Sequence, residues 1–184
     1  MMIATRRTFL KTVALSGASL VIGFDSRRLL GADEKKEPFK PNGWVRIDSD
    51  GGVTLTISKS EMGQGVRTSL AMILADELGA EWSRIKIVQA SPNAEFKDLG
   101  TGGSGSMEDG WVLRRAAAAA RAMLMSAAAT RWKVSPNECK TEGGAVVHGA
   151  SGKRLAFGEL VGEAAKLPVP TDTPLKTRAD FKII

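Results

Sequence analysis

The sequence predicts an α+β fold in which helices pack on one face of a mainly antiparallel sheet, with elements in the order ββαβαβ. Short segments that alternate apolar and polar residues, rich in valine, isoleucine and threonine, predict the strands. Two longer segments with apolar residues at helical spacing predict the main helices, and glycine-rich turns separate the two kinds of segment. Of the 184 residues, 43% are hydrophobic, which is ordinary for one globular domain with a single core.

The first half of the domain, which begins at about Asn42, is predicted to hold three strands and one helix. Residues 44–47 and 53–58 form the first two strands, and the Asp48 to Gly52 segment between them is typical of a hairpin turn. A helix follows over residues 66–78, because leucine and isoleucine recur there on one face. Residues 85–89 give the third strand.

The second half begins with a long alanine-rich helix over about residues 109–132, in which four arginines exclude a membrane span. Residues 139–142 and 145–148 flank a Gly-Gly pair and form either one bent strand or a hairpin. A short helix is expected over residues 157–166. Several prolines then leave a tail with no evident place in a core. The domain is therefore predicted over residues 42–167, with a tail over 168–184 that leads toward a further domain.

The N-terminus is predicted to be an export signal over residues 1–32, followed by an exposed charged linker over 33–41. Arg6 and Arg7, followed by Phe9-Leu10-Lys11 and a weakly apolar stretch, resemble a twin-arginine signal. The apolar stretch is shorter than the roughly 20 residues needed to cross a bilayer. We therefore expect a periplasmic protein, associated with the membrane only if the signal is not cleaved.

Charge and rare residues exclude several function classes. Residues 1–32 carry five basic residues and one acidic residue, so +4 of the formal net charge of +6 belongs to the signal and only +2 to the rest. This weakens any case for a nucleic-acid partner. The single cysteine, Cys139, excludes an internal disulfide or a cysteine-ligated cluster, and it reads as a core residue. The single histidine, His148, leaves little material for a catalytic triad.

One candidate binding feature is Gln64, which lies between Gly63 and Gly65 where the second strand passes into the helix. Glycines at such a turn let the main chain approach a ligand closely. A glutamine amide offers two N–H donors and a carbonyl acceptor, which suits a polar heterocycle or an oxo group. The alternative is that both glycines only serve a tight turn between strand and helix.

A second glycine-rich segment, from Gly100 to Ser106, runs into the long helix. Backbone N–H groups and hydroxyls at the start of a helix favour anions, particularly phosphate. Glu108 and Asp109 would repel a phosphate placed too close, and Ser106 with Asp109 also fits a capping box. No lysine follows the glycines at P-loop spacing, so a nucleoside-triphosphate site is excluded.

Three motifs follow one another along the chain: Pro41-Asn42-Gly43-Trp44, the segment from Lys59 to Thr68, and the segment from Thr101 to Ser106. Together with the N-terminal signal they resemble the molybdopterin-binding large (beta) subunit of the xanthine oxidase and aldehyde oxidase family. Within that family the pattern is that of isoquinoline 1-oxidoreductase beta subunits and exported aldehyde dehydrogenases. The resemblance covers essentially the whole chain.

The resemblance implies a molybdenum hydroxylase, which oxidises aldehydes or N-heterocycles with oxygen taken from water. It implies molybdopterin, in the cytosine dinucleotide form, and molybdenum as cofactors. Electrons would leave through a partner protein, the small subunit, that carries two [2Fe–2S] clusters, with a cytochrome c as a further acceptor. The first loop would contact the pterin and the second the dinucleotide phosphates, through the cofactor-binding residues Met62, Gly63, Gln64, Gly65, Thr101, Gly102, Gly103, Ser104 and Ser106.

The chain departs from the family in its length and in its catalytic residues. Large subunits of the family run to several hundred residues, and their glutamate base belongs to a motif near the C-terminus that has no counterpart here. Glu61 matches a position of the binding motif rather than the base. We therefore expect an N-terminal cofactor-binding module that is inactive alone, with no catalytic residue and no metal ligand of its own. The alternative is a non-catalytic exported binding protein that retains the fold.

Overall fold

A computed structural model of the chain describes residues 40, 42–92, 96, 100–101 and 110–182. Within these residues the α+β class is confirmed. The elements in chain order are β1 (Val45–Ile47), β2 (Val53–Ile57), α1 (Val66–Leu78), β3 (Ile85–Gln89), α2 (Gly110–Trp132), β4 (Cys139–Glu142), β5 (Ala145–His148), β6 (Arg154–Ala156) and α3 (Phe157–Ala164). The boundaries predicted for α1 and β3 agree with the structure to the residue.

The first sheet has the strand order β1-β2-β3. β1 and β2 form the predicted antiparallel hairpin, with Val45 opposite Leu55. β3 pairs with β2 in parallel, with Ile57 opposite Gln89, because α1 carries the chain back across the sheet between them. β2 and β3 therefore end at the same edge of this sheet, which we call the carboxyl edge.

The fold differs from the prediction of one sheet, because β4, β5 and β6 form a second, antiparallel sheet. Gly143 and Gly144 both have positive φ, 54° and 72°, so the chain reverses between Glu142 and Ala145. This geometry resolves the open alternative in favour of a hairpin, because two consecutive positive φ angles are typical of a tight hairpin turn. β6 was not predicted, since a three-residue strand carries almost no alternation.

The core lies between the helices and the inner faces of the sheets. α1 and α2 pack together through Leu70, Leu74 and Leu78 on one side and alanines such as Ala117 and Ala120 on the other, all fully buried. Small side chains let the two helix backbones approach closely. α3 covers the opposite side of α2 and contributes buried Phe157 and Leu160. No helix in the described part of the chain is long and apolar enough to span a bilayer.

The rare residues occupy structural positions. Cys139 is a buried free thiol, and burial raises the pKa of that thiol. His148 is also buried, with its Nδ1 2.7 Å from the Ser151 hydroxyl and its Nε2 3.3 Å from a Glu138 carboxylate oxygen. These contacts fasten the end of β5 to the turn that follows it and to the turn before β4.

The tail is bound to the domain, contrary to the expectation that it has no place there. We call residues 174–182 the strap. Glu77 of α1, only 1% exposed, accepts hydrogen bonds from Arg114 (2.9 Å), Arg121 (2.6 Å) and the Lys176 N–H (3.0 Å). The two guanidinium groups also donate to the carbonyl oxygens of Lys176 and Pro174, at 2.9 and 2.5 Å. A buried carboxylate thus holds an extended segment chiefly by its backbone.

Candidate functional site

Two loops leave the carboxyl edge side by side. The first loop (residues 58–65) follows β2, and the second loop (residues 90–109) follows β3; of the second, residues 90–92, 96, 100 and 101 are described. The Ser60 N–H donates to the Gly100 carbonyl at 3.4 Å, and the Gln89 amide donates to the Ser58 carbonyl at 3.2 Å. The parallel pairing of β2 and β3 explains this, since it sends both chains out at the same edge. The structure therefore brings the two glycine-rich segments together.

The described candidate residues lie at the protein surface. Met62 is 65% exposed, Gly63, Gln64 and Thr101 are also exposed, and Gly65 is half-buried. The remaining candidates of the second loop lie outside the described residues, so their assignment stays a prediction: Gly102, Gly103, Ser104 and Ser106.

Gly63 and Gly65 are required by the backbone of the turn. Their φ angles are +98° and +76°, a region that residues with a side chain rarely adopt. A Cβ added at Gly63 would meet no atom within 4 Å, so backbone conformation, and not crowding, demands glycine there. The same open space leaves the main chain of the turn accessible to a ligand. The tight-turn explanation is therefore correct for the backbone, and it is compatible with ligand binding.

Glu61 organises this turn, a role the sequence did not reveal. One carboxylate oxygen accepts the N–H groups of Gly63 and Gly65, both at 2.9 Å, and the other accepts the Arg67 N–H at 3.1 Å. The bond from Gly65 is the largest cause that lowers the pKa of the Glu61 carboxyl below its ordinary 4.5, and the bond from Arg67 is the next. The side chain is therefore an anion at neutral pH and occupies the N–H groups at the start of α1.

Gln64 is folded against its own loop. Its side-chain oxygen accepts the Met62 N–H at 2.6 Å, and its Nε2 donates to the Ser60 carbonyl at 3.0 Å. The amide thus braces the turn across three peptide units. Since it remains exposed at the carboxyl edge, its predicted contact with the pterin stays a prediction.

Residues outside the loops anchor the site to the core. The Asn42 side chain accepts the N–H groups of Trp44 and Val45 at 3.0 and 3.1 Å and donates to the Ala116 carbonyl of α2 at 3.1 Å. The Trp44 ring meets Phe96 of the second loop edge to face, with the centroids 4.7 Å apart. The motif that begins with Pro41-Asn42 therefore ties β1, α2 and the second loop together.

Comparison with known proteins assigns the family. A model of the molybdopterin cofactor-binding domain matches residues 5–183. The chain therefore belongs to the molybdopterin cofactor-binding domain family, as the motif resemblance predicted. A molybdopterin-binding domain related to the molybdenum hydroxylases is thus established for nearly the whole chain.

Similar proteins are all much longer than this chain. A membrane-bound aldehyde dehydrogenase (pyrroloquinoline-quinone) of Gluconacetobacter polyoxogenes is 33% identical over 90% of this chain and 23% of its own length. The beta subunit of isoquinoline 1-oxidoreductase from Brevundimonas diminuta is 35% identical over 73% of this chain and 18% of its own length. The chain spans about a fifth of the length of these relatives.

Solved structures agree with the assignment of fold. Quinoline 2-oxidoreductase from Pseudomonas putida 86 matches with a TM-score of 0.55 and 33% identity, over 64% of this chain and 15% of its own. A Cu,Mo-CO dehydrogenase matches with a TM-score of 0.56 and 26% identity, over 71% of this chain and 17% of its own. The arrangement of strands and helices is thus shared with molybdenum-containing enzymes.

Proposed function

We propose that this chain is the N-terminal cofactor-binding module of a molybdenum hydroxylase and is incomplete alone. The observation that carries the proposal is the junction of the first and second loops, where the Ser60 N–H meets the Gly100 carbonyl. Ligands of sheets with parallel strands commonly bind outside the carboxyl ends of those strands. We assign the pterin to the first loop and the dinucleotide phosphates to the second, through Met62, Gly63, Gln64 and Gly65 and through Thr101, Gly102, Gly103, Ser104 and Ser106 respectively.

The described residues fit such a cofactor. The open space above Gly63 admits a flat ring close to the main chain. Gln64 supplies the amide donors and acceptor that a pterin edge requires. The Glu61 carboxylate is engaged by backbone N–H groups of its own turn, which reduces its repulsion of an anionic ligand. When bound, the molybdenum cofactor supplies the oxidation of the substrate carbon. The residues of this chain bind and orient it.

The remaining components belong to the proposal as well. We propose the cytosine dinucleotide form of the cofactor, a small subunit with two [2Fe–2S] clusters, and a cytochrome c as a further electron acceptor. Support comes from relatives whose names describe them as single subunits of larger enzymes, among them isoquinoline 1-oxidoreductase and nicotinate dehydrogenase. The domains of the large subunit that supply the catalytic base would complete the active site.

A second cofactor is suggested by one relative, whose name carries pyrroloquinoline quinone. The two possibilities differ in elemental composition, because the quinone contains no molybdenum. The non-catalytic alternative predicts neither cofactor. Elemental analysis for molybdenum, together with an assay for the quinone, therefore separates all three.

Turnover tests the proposed reaction. We expect a complex of this chain with the remaining domains and the small subunit to oxidise aldehydes or N-heterocycles with an artificial electron acceptor. Oxygen from isotopically labelled water should appear in the product. The chain alone should show no turnover, because it lacks the base and the electron path. Turnover by the isolated chain that follows its molybdenum content would contradict the proposed incompleteness.

We further propose periplasmic location through the twin-arginine signal, with membrane association only where the signal remains attached. The paired Arg6 and Arg7 carry this proposal. Replacing both with lysine keeps the positive charge but should leave the protein in the cytoplasm, as measured by cell fractionation. Export of the double variant at the wild-type level would refute the assignment, since a general secretory signal needs only the charge.

A further inference from the structure

The first loop is braced from inside by two of its own side chains. The Glu61 carboxylate receives three N–H groups, from Gly63, Gly65 and Arg67, at 2.9 to 3.1 Å. The Gln64 amide joins the Ser60 carbonyl to the Met62 N–H. Four main-chain donors within six residues therefore end on side chains of the loop itself.

These bonds are formed at an exposed surface, so burial does not force them. A turn with two glycines of positive φ has a high conformational entropy in the unbraced state, because glycine restricts its backbone least. Hydrogen bonds to an ionised acceptor are about twice as strong as neutral ones. A single carboxylate that collects three of them is thus the main local force that holds the turn.

We propose that Glu61 is a positioning residue, which forms the first loop before the cofactor arrives and presents Met62 and Gln64 to it. This inference rests on the function proposed above. A ligand that meets a preformed loop does not pay the ordering cost, so its affinity rises. Glu61 also reserves the N–H groups at the start of α1 for itself, which directs the cofactor phosphates to the second loop.

The test compares three forms of the full chain without cofactor: wild type, Glu61→Ala and Glu61→Gln. Asp172→Asn is the matched control, since it removes an exposed carboxylate from another part of the surface. Amide hydrogen exchange is measured residue by residue. We expect Glu61→Ala to accelerate exchange of the three bonded amides by about three- to tenfold, as for the loss of one charged hydrogen bond each. Glu61→Gln should lie between, because its amide oxygen can accept only part of the set.

The second measurement is the molybdenum content of the same variants in the complex restored with the remaining domains. We expect Glu61→Ala to retain less than the wild type, Glu61→Gln an intermediate amount and the control the full amount. A structural role elsewhere would lower the melting temperature of the chain without selecting these three amides.

The outcomes separate the two proposals. Equal exchange in wild type and Glu61→Ala overturns the positioning role. Faster exchange with unchanged molybdenum also overturns it, while the cofactor-binding function stands. Displacement of the carboxylate in the wild type by inorganic phosphate, seen as shifts of the same amides, contradicts the reserved helix start. A wild-type complex without molybdenum defeats the proposed function, whatever the exchange data show.

Discussion

Replacing Glu77 with alanine is expected to lower the free energy of unfolding by about 3–5 kcal/mol, the range for breaking a buried ion pair from one side. The reason is that Arg114 and Arg121, both largely buried, lose the carboxylate that balances them. The Lys176 N–H loses its acceptor at the same time. Chemical denaturation measures the effect.

The half-exposed surface pair Arg46–Asp48 provides the control. Arg46→Ala should cost no more than about 1 kcal/mol, because exposed pairs contribute little. Glu77→Ala should also release the strap, so that proteases cut within residues 174–182 faster than in the wild type. A Glu77 variant as stable and as protease-resistant as the wild type would show that the buried cluster does not hold the strap.

Gly79→Ala should destabilise the fold by about 2–5 kcal/mol, combining a left-handed backbone penalty with overpacking. Gly79 ends α1 with φ +75°, and an added Cβ would lie 2.5 Å from the Thr141 hydroxyl and 2.8 Å from its carbonyl oxygen. Because one of these atoms is backbone, β4 would have to move.

Gly63→Ala is the matched comparison, since its φ is also positive but its Cβ would meet open space. It should cost only the backbone penalty of about 1–2 kcal/mol. Thermal unfolding of both variants measures the difference. Equal losses would mean that packing against Thr141 contributes nothing at Gly79.

The first sheet and α1 were predictable because their signals are local. The helix Val66–Leu78 is bounded by glycines at both ends, and its apolar spacing runs without interruption. The second sheet was harder, because β6 has three residues and one partly buried apolar side chain. The strap was not predictable, since the Lys176 N–H meets a carboxylate 99 residues away and no local pattern marks that contact.

The site was predictable in part for the same reason. Glycine spacing marked both loops, and the parallel pairing of β2 and β3 accounts for their meeting. The role of Glu61 was missed because three N–H groups converge on it only once the turn has formed. Its position two residues before Gly63, with α1 beginning after Gly65, was the available signal.

The most direct measurement of the central claim is the molybdenum and pterin content of the complex restored with the remaining domains. The wild type should hold both in near-stoichiometric amount, and Lys153→Ala, an exposed control, should match it. The Ser104→Ala, Ser106→Ala double variant should lose more cofactor than Gln64→Ala, because bonds to phosphate are charge-assisted. Gln64→Ala should lose more activity per cofactor retained. A wild-type complex that contains no molybdenum, or contains pyrroloquinoline quinone in its place, would contradict the assignment.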